Sequence, residues 1–259
     1  MPLLQPWYRH SPWSGNLYRE APDAWLWRFG FARRDPMSAK SEIGKAVEAA
    51  LAALLLGTIT VADVYGYALR LFDEAMQGEI VPERSDIQPI CGNAVTAIQA
   101  IPGKLMTFQS VYRLDAGERY GLAHAVKCKS DYTFDTQIVD LKVTWRAPSN
   151  DAAKFAHVAQ LGTYHALTGK PQSLLYITPK KIVPVTLTEA QLVDGWKTML
   201  ATWKRIDALE RAFSTPEQVA QILPLNLDNF RWPPETHATA LALWNGEAIE
   251  ESLPAPVTT

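Results

Sequence analysis

The chain has 259 residues, of which 47% are hydrophobic and 20% charged, with a net charge of −2. This composition excludes a disordered chain, and it excludes a protein that binds nucleic acid through a strong overall positive charge. Cys91 and Cys128 form no CxxC pair, which argues against a disulfide framework, a structural zinc site and an iron–sulfur cluster. We find no secretory signal and no apolar run of membrane-spanning length, and we expect a cytoplasmic protein.

The first part of the chain predicts mainly helices. Residues 1–37 are rich in Trp and Pro, and we expect them to form loops and a short helix against the body of the protein. The apolar spacing over residues 38–57 predicts a helix. A capping box opens a second predicted helix over residues 60–78. Residues 79–105 predict a connection with another short helix.

The second part predicts strands alternating with helices. Three strands joined by turns are expected at residues 104–114, 120–130 and 134–145. They are followed by a helix at 150–169, strands at 172–178 and 181–187, and a long helix at 188–213. This order predicts an α+β fold with a central mixed sheet flanked by helices. We assign residues 1–213 to one domain, in which 1–37 wrap around the body, and 214–259 to an extension with a loose tail.

The candidate chemistry begins on the strand "IVDLKVTW". Strand alternation places Asp140 and Lys142 on one face and Val139, Leu141 and Val143 on the other. A carboxylate can hold Mg²⁺ or Mn²⁺, and a lysine can orient or deprotonate water or offset charge on a phosphate. The alternative is a surface ion pair, because a tripeptide motif often arises by chance.

Two further residues are candidate metal ligands. Glu48 lies at the edge of a core-facing helix stripe, where a carboxylate needs a partner such as a cation. The alternative is a rim carboxylate that reaches solvent. His124 is expected on the strand that pairs with the Asp140 strand, and the alternative is a hydrogen-bonded core histidine.

Several residues are candidate DNA contacts. Gln160 and Tyr164 stand four residues apart on one helix face, from which an amide and a phenol can hold a phosphate or stack on a base. The alternative is a face of mixed core and solvent contacts. Lys127, Arg146 and Lys180 can form a local basic patch, although scattered cations are also common on solvated surfaces.

Five motifs in chain order resemble the PD-(D/E)XK nuclease superfamily, in its RecB/Cas4-like exonuclease branch. They are "SPWSGNLYREAP" (11–22), "GKAVE" (44–48), "GLAH" (121–124), "DLK" (140–142) and "QLGTY" (160–164). The resemblance covers residues 11–185. It implies a restriction-endonuclease-like core and a metal-dependent DNA exonuclease that acts in recombination, repair or phage DNA metabolism.

The resemblance also implies roles for residues. Glu48, His124 and Asp140 would hold the metal, Lys142 would be the catalytic lysine, and Gln160 with Tyr164 would position the DNA strand. The chain departs from the family at two positions, with Glu48 where the family has His and His124 where it has an acid. We interpret this as an exchange that biases the site from Mg²⁺ toward Mn²⁺, since imidazole suits Mn²⁺ better.

Two alternatives and two further expectations accompany this interpretation. Loss of the strand acid could instead leave an inactive DNA-binding or assembly module, and an unrelated scaffolding protein could carry the same D-x-K pair. Ala21 stands before Pro22 where iron–sulfur members carry Cys, so we expect no cluster. The expected partners are DNA and a recombination or single-strand-annealing protein, with no membrane, in the cytoplasm of the host if the chain is phage-encoded.

Overall fold

The computed structural model describes residues 2–5, 7–34, 37–115, 117–148 and 153–247. They divide into two compact units. The sheet unit comprises residues 9–13 and 37–201, and the terminal unit comprises the described residues of 1–8, 14–36 and 202–259. The predicted α+β class, with a central mixed sheet flanked by helices, is confirmed.

The helices are α1 (Pro12–Glu20), α2 (Pro22–Phe29), α3 (Ala39–Leu55), α4 (Val64–Ala75), α5 (Ile87–Gln99), α6 (Gly117–Tyr120), α7 (Phe155–Thr168), α8 (Glu189–Ala212), α9 (Pro216–Ala220) and α10 (His237–Trp244). The strands are β1 (Leu105–Phe108), β2 (Val111–Leu114), β3 (Val126–Lys129), β4 (Tyr132–Phe134), β5 (Ile138–Val143), β6 (Gln172–Ile177) and β7 (Ile182–Thr186). Short 3-10 helices span Val61–Asp63, Pro82–Asp86 and Pro234–Thr236.

The main sheet has the strand order β1-β4-β5-β6-β7. β5 and β6 are parallel and are joined through α7, whereas the other neighbours are antiparallel. β2 and β3 form a separate antiparallel ribbon. The expectation that the strand region of His124 pairs with the Asp140 strand is therefore wrong: β3 pairs with β2, and β4 is the antiparallel neighbour of β5.

Helices cover both faces of the main sheet. On one face, Val139 and Leu141 of β5 pack into an apolar cluster with α3, α4 and α5. On the other face, Ile138 packs with Leu161 of α7 and Leu192 of α8. Alternation along β5 therefore follows the sequence prediction, and it places Asp140 and Lys142 on the α7 side.

Local signals fix the ends of several helices. The predicted capping box is present, because the side chains of Thr60 and Asp63 bond to each other's backbone N–H groups. Gly169 ends α7 in the left-handed conformation, with φ of 67°, which is cheap for glycine alone. The region predicted as connection and short helix contains the 13-residue helix α5.

The terminal unit is held by aromatic side chains. Within it, Asp23 of α2 accepts hydrogen bonds from the indole of Trp232 (2.8 Å) and from the backbone N–H of Asn226 (2.9 Å). The Trp232 ring also contacts Trp27 and Trp244. Segments from both ends of the chain thus share one unit, and its boundary lies near residue 201 rather than at the expected 213.

Within the described ranges, no helix combines the length and the apolar character needed to cross a bilayer.

The crossing of α7 and α8 depends on two glycines, and this gives a first prediction. A Cβ on Gly195 would lie 2.5 Å from the carbonyl oxygen of Val158, and one on Gly162 would lie 2.7 Å from the backbone nitrogen of Trp196. Gly195→Ala must therefore separate the helices, and we expect the melting temperature to fall by roughly 3–10 °C.

Gly66→Ala is the matched control, because a Cβ at this exposed position of α4 meets nothing within 4 Å. We expect it to raise stability by up to about 1 kcal/mol through helix propensity. Calorimetric melting of both variants tests the packing, and an equal melting temperature for the two would contradict it.

Candidate active site

The hairpin of β4 and β5 brings two carboxylates together. Tyr132 pairs with Val139 and Thr133 with Ile138, so the same register places Asp131 opposite Asp140. The backbone N–H of Leu141 donates to Asp131 Oδ2 at 2.9 Å, which fixes the Asp131 side chain against β5. Two acids separated by eight residues in sequence therefore become neighbours in the sheet.

Lys142 lies beside both acids. Its Nζ is 2.6 Å from Asp140 Oδ2 and 3.9 Å from Asp131 Oδ2. Burial on its own would lower the pKa of Lys142, but the charges of Asp140 and Asp131 more than offset it and raise this pKa above its ordinary value. Lys142 is therefore an ammonium group at neutral pH.

Asp140 is fully buried, and α7 supplies its second contact. The Gln160 amide donates to Asp140 Oδ1 at 2.9 Å and to Tyr164 Oη at 2.5 Å. The Tyr164 hydroxyl in turn donates to the backbone carbonyl of Lys129 at 2.7 Å. This chain of hydrogen bonds fixes the carboxylate of Asp140 and connects β5, α7 and the end of β3.

Glu48 of α3 belongs to the same electrostatic cluster. The pKa of Glu48 is raised to about 8, first by burial and then by the negative charge of Asp131, while Lys142 opposes the shift and Asp140 adds to it. The hydroxyl of Tyr132 donates to the Glu48 carbonyl at 2.7 Å, which anchors this turn of α3 to β4. The structure therefore brings together three of the four predicted catalytic residues.

His124 does not join this cluster. It lies at a bend before β3, and its ring packs edge-on against His10 with the centroids 5.3 Å apart. The cluster lies near the Lys129 end of β3, and Val126 at the other end is about 10 Å away along the strand. The charges that chiefly shift the pKa values of Glu48, Asp140 and Lys142 do not include that of His124, so the described residues give no support to its predicted ligand role.

The predicted DNA contacts divide into two groups. Tyr164 is buried and Gln160 bonds to Asp140, so these side chains position the acid rather than stack on a base. Lys127, Arg146 and Lys180 are exposed. Their contact with DNA stays a prediction.

Asp131 is the residue that the sequence analysis missed. It lies in "SDYT" (130–133), at the predicted turn between the strands expected at 120–130 and 134–145. The sequence alone carries no direct signal for this pair, because Asp131 falls opposite Asp140 only once Tyr132 is known to pair with Val139. The strand β4 that sets this pairing has three residues.

The chemistry of the donor set suits a hard divalent cation, although these three carboxylates, all among the described residues, do not all lie within 4.8 Å of one another. Glu48, Asp131 and Asp140 offer carboxylate oxygens, which Mg²⁺ and Mn²⁺ prefer. Asp140 Oδ2 is buried and accepts no well-formed hydrogen bond from the described residues, although the Lys142 ammonium is close. Without an imidazole in the set, the argument for a bias toward Mn²⁺ loses its basis.

Comparisons with known proteins add little. No protein-family model matches the chain, and no curated protein matches it significantly. A solved structure described as the crystal structure of SSO0001 aligns with 66% of this chain and 79% of that chain, at 14% identity and a TM-score of 0.29. A similarity at this level carries no argument about function.

The raised pKa of Glu48 gives a second prediction. Unfolded Glu48 releases its proton near pH 4.3, whereas the folded group does so near pH 8. Between these values the unfolded state binds fewer protons, so the free energy of unfolding falls as the pH rises. We expect Glu48→Gln to remove part of this loss and, at pH 8.5 in EDTA, to melt at least about 2 °C above the wild type.

Melting curves at pH 5.5 and 8.5 provide the measurement. Glu74→Gln is the control, because Glu74 is an exposed acid on α4 that pairs with Arg70. A pH dependence that is the same in Glu48→Gln as in the wild type would show that the Glu48 carboxyl is not buried in the acidic cluster.

Proposed function

We propose that the chain is a divalent-metal-dependent DNA nuclease that hydrolyses phosphodiester bonds. The observation that carries the proposal is that Asp131 and Asp140 lie beside the Lys142 ammonium, and that the charges of all three act on the buried carboxyl of Glu48. Carboxylates that can hold a divalent cation, together with a lysine that can offset phosphate charge, are groups that support metal-assisted phosphodiester hydrolysis. The resemblance to the RecB/Cas4-like nucleases supports the same conclusion.

The residues have separable roles in this proposal. Glu48, Asp131 and Asp140 would hold the cation, which supplies Lewis acidity that offsets phosphate charge and makes a water molecule more acidic. Lys142 offsets negative charge that develops on the phosphate. Gln160 keeps Asp140 in one orientation through its hydrogen bond.

The position of Asp131 bears on the alternative that the chain is an inactive DNA-binding or assembly module. That alternative depended on the loss of a strand acid at His124. Asp131 supplies an acid from the segment before β4, opposite Asp140. This acid supports the nuclease over the inactive module.

The ribbon of β2 and β3 supports contact with a polyanion. Arg113 and Lys127 are directly opposite each other, and Lys129 follows on the same exposed face of β3. Like charges in this arrangement destabilise a strand pair. Of these three basic residues, Arg113 is the one that forms an ion pair with Asp115. The charge of Lys129 also acts on Glu48. This basic ribbon could therefore lead a DNA backbone to the carboxylates.

The third prediction concerns cleavage. We expect Asp131→Asn and Lys142→Ala to lose at least about 100-fold in the cleavage of labelled duplex DNA with Mg²⁺ or Mn²⁺, because each removes a group from the cluster. His124→Ala is the contrasting variant and should retain cleavage. Duplexes with open or blocked ends and with 5′ or 3′ labels separate exonuclease from endonuclease action.

The cation is tested in parallel by calorimetric titration of Mg²⁺ and Mn²⁺. We expect Asp131→Asn to bind either ion more weakly than the wild type. Retained cleavage in Asp131→Asn together with its loss in His124→Ala would restore the earlier ligand assignment. No cleavage by the wild type with either ion would overturn the proposed function.

The fourth prediction concerns the basic ribbon. Lys127→Ala should weaken DNA binding to a similar extent for every sequence and reduce the slope of log K against log salt by about 1, because one phosphate contact is lost. Lys197→Ala, at an exposed position of α8 near Asp194, is the control. An unchanged slope for Lys127→Ala would exclude the ribbon from the DNA path.

A further inference from the structure

A histidine and a tyrosine next to the acidic cluster have no role so far. Tyr176 of β6 is the register partner of Lys142 on β5, and its side chain is buried. His157 lies three residues before Gln160, so both project from the same side of α7. The charge of Lys142 acts on both Tyr176 and His157, which places them at the cluster.

The hydrogen bonds around Tyr176 bear on which nitrogen of His157 carries the proton. The backbone N–H of Lys154 donates to Tyr176 Oη at 2.9 Å. Tyr176 Oη also lies 2.7 Å from His157 Nδ1. Among the described residues that contact this hydroxyl, Nδ1 is the one group that can accept its proton. This arrangement favours a hydroxyl that donates to Nδ1 and a neutral ring with its proton on Nε2.

The ring is also kept neutral. The pKa of His157 is lowered to about 3, first by burial and then by the positive charges of Lys142 and Lys154. Among the described residues, no hydrogen bond to Nε2 of His157 is present. The ring is half-buried, so Nε2 is not enclosed by protein. The Nε2–H group is thus an oriented donor without a protein acceptor in the part of the chain described.

We propose that His157 donates a hydrogen bond from Nε2 to a phosphate oxygen of the bound DNA strand, and that Tyr176 positions the ring in the required tautomer. This inference depends on the proposed nuclease function and adds a substrate contact to it. A phosphate oxygen is the acceptor that fits, because an uncharged N–H next to an ammonium selects an anionic oxygen. His157 would be a catalytic residue, and Tyr176 a positioning residue.

Two isosteric variants of His157 separate this role from a structural one. An asparagine amide can occupy the place of Nδ1 and keep the contact with Tyr176, but it has no donor at the place of Nε2. A glutamine amide reaches the place of Nε2. We expect His157→Asn to lower kcat/KM for duplex cleavage by about 10- to 100-fold, whereas His157→Gln stays much closer to the wild type.

Tyr176→Phe and His165→Ala complete the set. Tyr176→Phe removes the donor to Nδ1, so both tautomers become accessible and the loss should be smaller than for His157→Asn. His165→Ala is the control on the same helix, since its ring contacts Glu189 and the carbonyl of Lys170. Melting temperatures confirm that each variant is folded.

The tautomer is read directly, without any substrate, from long-range ¹H–¹⁵N correlation spectra of the histidine side chains in the full-length protein. We expect Nε2–H in the wild type and a mixture in Tyr176→Phe. An Nδ1–H wild-type ring, or an active enzyme in which His157→Asn matches the wild type, would overturn this inference alone. A wild-type protein that cleaves no DNA would overturn the proposed function and this contact with it.

Discussion

The placement of Asp131 opposite Asp140 is the constraint on which the rest of the site depends. Like charges at directly opposed positions destabilise a hairpin, and here one of the acids is fully buried. Burial raises the pKa of Asp140 to about 7. The positive charge of Lys142 opposes this shift, and the negative charge of Asp131 adds to it. With Glu48 added, three carboxyl groups face one ammonium, and without a cation two of them release their protons only near pH 7 and pH 8. Such local conflicts are typical of functional sites, where binding a cation relieves them.

The surrounding elements keep this arrangement in place. α7 approaches β5 closely enough for Gln160 to bond to Asp140, and it is packed from behind by α8 at Gly162 and Gly195. Because backbone meets backbone at that crossing, α7 has little freedom to move away from the sheet. The hydroxyl of Tyr164 extends the same connection to β3. The packing of α7 against α8 therefore also helps to maintain the orientation of the Asp140 carboxylate.

Features that depend on local sequence could be predicted. Alternation in "IVDLKV" correctly gave the face shared by Asp140 and Lys142, because side-chain direction in a strand follows position alone. The capping box at Thr60 and the end of α7 at Gly169 are also local, and both are present. Glu48 was found because an acid beside a core-facing stripe is unusual wherever the helix packs.

Features that depend on strand pairing could not be predicted in the same way. The role given to His124 required β3 to pair with β5, but the short strand β4 occupies that place and β3 turns away to β2. The hairpin closes through the backbone bond from Phe134 N–H to the Gln137 carbonyl, which sets the register. A shift of one residue would send the Asp131 side chain to the other face of the sheet. The length of this turn thus determines which acid lies opposite Asp140. A motif made of a few neighbouring residues does not contain that information.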